Sequence, residues 1–194
     1  MTQLQTPPPT APVVQKLSAD DLNRVLSEGG VEYVDGKIEE HSMSSKSNKT
    51  MRRVGRLFEP FEDSDDLSVF LDSFAYRCFP EKKRRRKPDV SVIRNSRLRE
   101  AGFADDDDIG ESPVPANLAV EVVSPNDRVL KLEAKAEEYL AAGFDEVWIV
   151  IPMVRKVRVL RPDGERMLTA DDEITLPDLL PQFKAKVADL FPEA

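Results

Sequence analysis

Two carboxylates and a lysine stand out in this chain for what their positions demand of them. Glu121 lies inside Leu118, Ala119, Val120, Val122 and Val123, an otherwise continuous apolar run closed by Ser124-Pro125, which is the pattern of a strand buried on both faces. An unpaired buried carboxylate is costly, so it needs a cation, a metal or a raised pKa. Asp89 opens a second β-branched run, Pro88-Asp89-Val90-Ser91-Val92-Ile93, behind a proline that fixes the entry of the chain. If the two strands are sheet neighbours, Asp89 and Glu121 converge at one edge. Two such carboxylates are the minimum that an oxygen-liganded cation such as Mg2+ (or Mn2+) asks for, with water and a substrate phosphate completing the shell. Lys131 and Lys135 are spaced i, i+4 on the segment that follows, so they share one helical face and either can reach back toward the strand end.

Those groups need elements to hold them. Residues 31–40 read as a hairpin with Asp35-Gly36 as its turn, and residues 17–28 as a short amphipathic helix with Ser18 as N-cap, stopped by Gly29-Gly30. Residues 45–61 space Met51, Val54, Leu57 and Phe58 on one helical side, with Lys46, Lys49, Arg52, Arg53 and Arg56 elsewhere. That basic face reads first as solvated, and as an approach to a phosphate backbone second. Residues 67–72 and 74–79 alternate as strands, ahead of the Asp89 strand.

After Glu121, Ser124-Pro125-Asn126-Asp127 supplies helix-start chemistry. The helix behind it packs through Leu130, Leu132, Ala134, Tyr139 and Ala141 and ends at Gly143. Residues 147–150 form a buried strand in which Trp148 belongs to the core, and residues 156–160 and 165–169 add further strands.

Two charge runs flank the pair of acids. Lys82, Lys83, Arg84, Arg85, Arg86 and Lys87 come directly before Asp89. As a hairpin loop at the site edge they would grip phosphates on either side of a scissile bond. Asp105, Asp106, Asp107 and Asp108 cannot all aim at one ion and read as a solvated loop.

Composition narrows the class. A chain of 194 residues with 40% hydrophobic content supports one domain over residues 17–194, preceded by a disordered Pro/Thr-rich arm over residues 1–16. A net charge of −8 argues against broad affinity for nucleic acid and leaves room only for a local basic patch. The single Cys78 excludes an internal disulfide framework, and no stretch reaches the roughly 18 apolar residues of a membrane span. A cytoplasmic location is expected. His41, the one histidine, has no nucleophile spaced toward it, and the absence of a glycine-rich phosphate loop argues against a nucleotide cofactor.

The ordered motifs also carry a resemblance. Pro88-Asp89, Glu121-Val122-Val123-Ser124-Pro125-Asn126-Asp127, Lys135 four residues before Tyr139, Ala142-Gly143-Phe144 and Val147-Trp148-Ile149-Val150 together look like the Uma-two family. These are bacterial proteins described as restriction endonucleases of the PD-(D/E)XK superfamily. The resemblance implies an α/β (α+β) fold, a restriction-endonuclease-like mixed β-sheet flanked by helices, with an N-terminal hairpin and helix. It implies Asp89, Glu121 and Lys135 as catalytic residues, the two acids as ligands of Mg2+ (or Mn2+), and Glu40 of the hairpin as an additional acid. Val123 stands two residues after Glu121, where the superfamily's lysine usually sits, and in this family the lysine comes from the following helix. Lys131 replaces an acid one turn before Lys135, and Ile151 replaces Asp or Asn. The implied activity is metal-dependent hydrolysis of DNA phosphodiester bonds. The alternative is a catalytically inactive nuclease fold that binds nucleic acid or a protein partner, as a homodimer.

Overall fold

The computed structural model describes residues 31–40, 43–62, 64–79, 84–103 and 111–193, the side chain of Glu40 excepted. The expected arm, the helix over residues 17–28, His41, Lys82, Lys83 and the run of four aspartates lie outside these residues.

The framework is a mixed sheet of six strands in the order β10-β9-β8-β7-β5-β3. Its members are β3 (Leu67–Leu71), β5 (Val90–Arg94), β7 (Leu118–Val122), β8 (Glu146–Ile151), β9 (Lys156–Arg161) and β10 (Gly164–Leu168). Neighbours are antiparallel except β7 and β8, which run parallel. A parallel pair needs a crossover, and α3 (Val129–Ala141) supplies it. Gly143 ends that crossover at φ 96°, with the Phe144 N–H returning to the Tyr139 carbonyl.

The period of two along the central strands builds two different faces. Val90, Val92, Leu118, Val120, Val122, Trp148 and Val150 point one way into the larger core. That core is closed by α1 (Ser45–Arg56) and by the hairpin of β11 (Glu173–Leu176) and β12 (Leu180–Lys186). Trp148, fully buried, sits 5.9 Å from the Phe58 ring and 6.2 Å from Phe183, so the tryptophan is a core residue as expected. Ala119, Val147 and Ile149 point the other way, against Ala136, Tyr139 and Phe144. Glu121 is on this second face.

Helix α1 stops at Arg56 rather than running on through residue 61, and a 3-10 turn over Glu59–Phe61 follows, with Pro60 in its first turn. A proline inside a longer helix would have cost its hydrogen bond and clashed with the turn before. The strand expected over residues 74–79 shrinks to β4 (Ala75–Tyr76), which pairs with β6 (Glu111–Ser112). A helix absent from the sequence reading, α2 (Asn95–Glu100), follows β5 directly.

The rotation of α3 also differs from the expectation. Leu130 is 84% exposed and Ala134 and Ala141 face solvent, while Lys135, Ala136 and Tyr139 are buried. The polar contacts of Lys135 and Tyr139 with Glu121 fix which side of the helix turns inward, and the leucine is carried outward with the rest. Nor does the loop before α3 cap it. Arg128 occupies the cap position without a side-chain bond, and Asp127 instead accepts from the Ser124 N–H at 2.6 Å. Among the described residues no helix is long and apolar enough to cross a membrane.

Candidate active site at one edge of the sheet

The β5–β7 register sets Val90 opposite Val120 and Ser91 opposite Ala119, with Asp89 immediately before β5 and Glu121 immediately after Val120. The Asp89 carboxylate accepts the Val122 N–H at 2.6 Å, which fastens it across the strand ends beside Glu121. Helix α3 then delivers two groups four residues apart. The Lys135 ammonium lies 2.8 Å from Glu121 Oε2, and the Tyr139 hydroxyl donates to Glu121 Oε1 at 2.9 Å. Asp89, Glu121 and Lys135 thus line one cavity of about 640 Å³, together with Glu32, Asp72 and Arg86 among others.

Glu32 is the residue that the sequence reading missed. It belongs to β1 (Val31–Val34), paired with β2 (Lys37–Glu40) through a turn in which Asp35 and Gly36 both take positive φ. Its side chain is 1% exposed, lies 3.0 Å from the Lys135 ammonium and 3.0 Å from Arg86 Nη1, and accepts the Lys87 N–H at 2.8 Å. The period of two puts Glu32 on one strand face with Val34, but Val31 and Tyr33 make the other face as apolar, so the sequence does not single it out. Glu40, proposed by the resemblance as the additional acid, pairs across the hairpin with Val31, and its side chain lies outside the described residues.

Lys131 does not enter the cluster. Its ammonium lies 3.2 Å from Glu39 at the cavity rim, with 63% of its side chain exposed.

The basic run meets acids rather than solvent at its described positions. Arg84 pairs with Asp35 and Glu138, Arg85 with Glu111, and Arg86 with both Glu32 and Glu138. Lys87 is buried, and backbone bridges from Arg85 to Tyr33 and from Arg86 to Tyr76 hold the segment in place. A charge run cannot reveal in the sequence how many acids the fold will bring against it. This one braces the hairpin against α3.

The electrostatics follow from three acids gathered in a dry place. Burial, and then the neighbouring Glu121 charge, raise the Asp89 carboxyl well above the usual carboxylate range, against the pull of Lys135. Burial also raises Glu121, opposed by Lys135. Burial alone would lower Lys135, but Glu121, Glu32 and Asp89 more than reverse this, and it stays an ammonium. Tyr139 is pushed well up by burial and by Glu121, so it remains a hydrogen-bond donor.

This donor set fits a hard divalent cation that keeps part of its water. The Asp89 and Glu121 carboxylates offer oxygen only, and a cation beside them would offset the burial and the Glu121 charge that raise Asp89. Among the described residues no group of three or more His, Cys, Asp or Glu is placed to hold a metal ion.

The comparisons with known proteins agree with this architecture. A crystal structure described as a putative nuclease belonging to DUF820 from Anabaena variabilis superposes with a TM-score of 0.71 at 19% identity, covering 90% of this chain and 97% of the other. That likeness is one of fold. No curated protein matches the sequence significantly. The sequence profile of the Uma2 family, described as "Putative restriction endonuclease", matches residues 19–188, and the chain belongs to that family.

Proposed function

We propose that the protein is a Mg2+- or Mn2+-dependent endonuclease that hydrolyses DNA phosphodiester bonds in the cavity at the ends of β5 and β7. The observation that carries this reading is one cavity lined by Asp89 and Glu121, with the Lys135 ammonium 2.8 Å from Glu121. Asp89 and Glu121 would hold the cation. When bound, it supplies Lewis acidity toward the phosphoryl oxygen and acidifies coordinated water.

The chain's own groups do the rest. Lys135, fixed from two sides by Glu121 and Glu32, is preorganised to stabilise negative charge as it develops on the phosphoryl group, with little reorganisation left for the moment of reaction. An ammonium on a flexible stem suits this role, and a planar guanidinium would not reproduce it. Tyr139 orients the Glu121 carboxylate through its second oxygen. Arg86 neutralises Glu32 from the side away from Lys135 and prevents the hairpin acid from holding the ammonium alone.

The test is nicking of supercoiled plasmid by the purified protein with Mg2+, with Mn2+ and with chelator, beside Asp89→Ala and Glu121→Ala. Cleavage that requires both the cation and both acids is the expected result. A folded wild type that leaves plasmid and single-stranded DNA intact with either cation would overturn the catalytic reading.

A further inference from the structure

Helix α1 carries Lys46, Lys49, Arg52, Arg53 and Arg56 and no acidic residue. At about 100° per residue these five fall within about 120° of arc, opposite the buried Ser47, Thr50, Met51 and Val54. Lys46, Lys49, Arg52 and Arg56 are exposed and Arg53 is half-buried. Among the described residues none of the five makes an ion pair; Arg52 donates to Asn48 of the same helix at 3.1 Å.

That is unusual for this molecule. The chain has a net charge of −8, and Arg84, Arg85, Arg86, Arg97, Arg158 and Arg161 are each matched with a carboxylate. On α1 the like charges instead stand at i, i+3 or i, i+4 five times over, between Lys46 and Lys49, Lys49 and Arg52, Lys49 and Arg53, Arg52 and Arg56, and Arg53 and Arg56. Such pairs destabilise a helix slightly, and among the described residues no carboxylate pairs with them.

The first turn of the helix that carries the stripe is also tied to the site. The Ser47 hydroxyl donates to the Val123 carbonyl at 3.0 Å, the Ser44 N–H donates to the Ser124 hydroxyl at 3.3 Å, and the Ser47 and Ser124 hydroxyls are 3.1 Å apart. The first turn of α1 is therefore bonded to the residues directly after the strand of Glu121, and Met43 before it lines the cavity.

We infer that the exposed face of α1 is the track that holds the phosphate backbone of a nucleic-acid duplex as it enters the candidate active site. The choice of polyanion rests on the phosphodiester reading above. Lys46 to Arg56 spans about 15 Å at about 1.5 Å per residue, the axial length of about four phosphates on one strand at about 3.4 Å each. The face offers cations, serine and asparagine, the groups that contact phosphates. It has no aromatic platform on which the bases of a single strand would stack. It also lacks the exposed apolar side chains by which a basic helix enters a membrane surface.

The test is fluorescence anisotropy with a labelled duplex over a salt series, in chelator so that no cleavage intervenes, for the wild type and K46Q/K49Q/R52Q/R56Q. Each phosphate contact contributes about −0.9 to the slope of log K against log salt. The variant should therefore bind at least about tenfold more weakly on every duplex sequence, with a slope shallower by about 3.6 if all four contact phosphate. The single variants R52Q and R56Q should each flatten it by about 1, which keeps the test open if the fourfold variant does not fold. Unchanged affinity and slope in the singles would overturn the inference, as would wild-type binding to phosphatidylserine vesicles in preference to the duplex. Charge-dependent binding without cleavage would uphold the track and sink the catalytic reading; Asp89-dependent cleavage with indifferent α1 variants would do the reverse.

Discussion

Glu121 and Glu146 are both buried glutamates on adjacent parallel strands, and the molecule treats them differently. Glu146 begins β8 at the opposite end of the sheet, 2% exposed, with one oxygen accepting the Trp148 Nε1–H and the other the Arg161 guanidinium. Arg161 in turn meets Asp178 at 2.9 Å beside a smaller cavity of about 280 Å³. One buried carboxylate faces one fixed guanidinium, and the network is closed. At the other end Glu121 pairs with Lys135, which also reaches Glu32, itself held by Arg86. Asp89 has no ion pair among the described residues, and its pKa is driven up by burial and by Glu121. A buried acid in a strand is therefore not by itself the mark of a site. A buried acid that no fixed cation pairs is, because the fold leaves a charge for something else to balance.

The largest separation between the two glutamates should appear in cleavage. Glu121→Gln and Asp89→Asn should each lower the initial rate of plasmid nicking by about 10²–10³-fold or more, the scale of losing one preorganised charged group, whereas Glu146→Gln should change it by less than about threefold. Equal losses at both ends would erase the distinction.

Stability should then reverse the order. Glu146→Ala leaves the Trp148 N–H without its acceptor and Arg161 with only Asp178, and should cost about 2–4 kcal/mol in urea unfolding. Asp89→Asn should move the urea midpoint of the metal-free protein upward at neutral pH. The sign follows from the raised carboxyl. Its folded-state pKa lies above the unfolded value of about 3.9, so ionisation opposes folding, and metal-free stability falls as pH climbs from that value through the folded pKa. The advantage of Asp89→Asn should therefore shrink as pH is lowered toward about 4, and should also shrink when Mg2+ is added to the wild type, which alone can bind it tightly. An Asp89→Asn advantage that does not grow with rising pH across this window would contradict the assignment.

The smallest effect belongs to Tyr139→Phe. It deletes one donor to Glu121 and should cost about 0.5–1.5 kcal/mol, with activity reduced less than about tenfold.

The sequence carried the central strands because their patterns are strong: Val90, Val92, Leu118 and Val120 are apolar on every core-facing position, and Glu121 and Asp89 interrupt them visibly. The pairing of Lys135 rather than Lys131 with Glu121 came from the family resemblance, since i, i+4 spacing leaves the two equivalent. Three things were not legible. Glu32 was hidden in a hairpin that also holds Glu39 and Glu40, and only the burial of Val34 distinguishes its face. The outward turn of Leu130 depends on polar contacts that outweigh one leucine. Finally, the two basic segments look alike in sequence, yet Arg84 and Arg86 are matched by Glu138, a partner more than fifty residues on that only the tertiary fold brings near, while the stripe on α1 makes no ion pair among the described residues.

The most direct test of an uncompensated charge at the Glu121 end is to measure Mn2+ binding by electron paramagnetic resonance at neutral pH, on the wild type, Asp89→Asn and Glu146→Gln. One bound ion in the wild type and in Glu146→Gln, lost or weakened at least about tenfold in Asp89→Asn, is the expected result. Equal binding by all three proteins, or none by the wild type, would contradict the account.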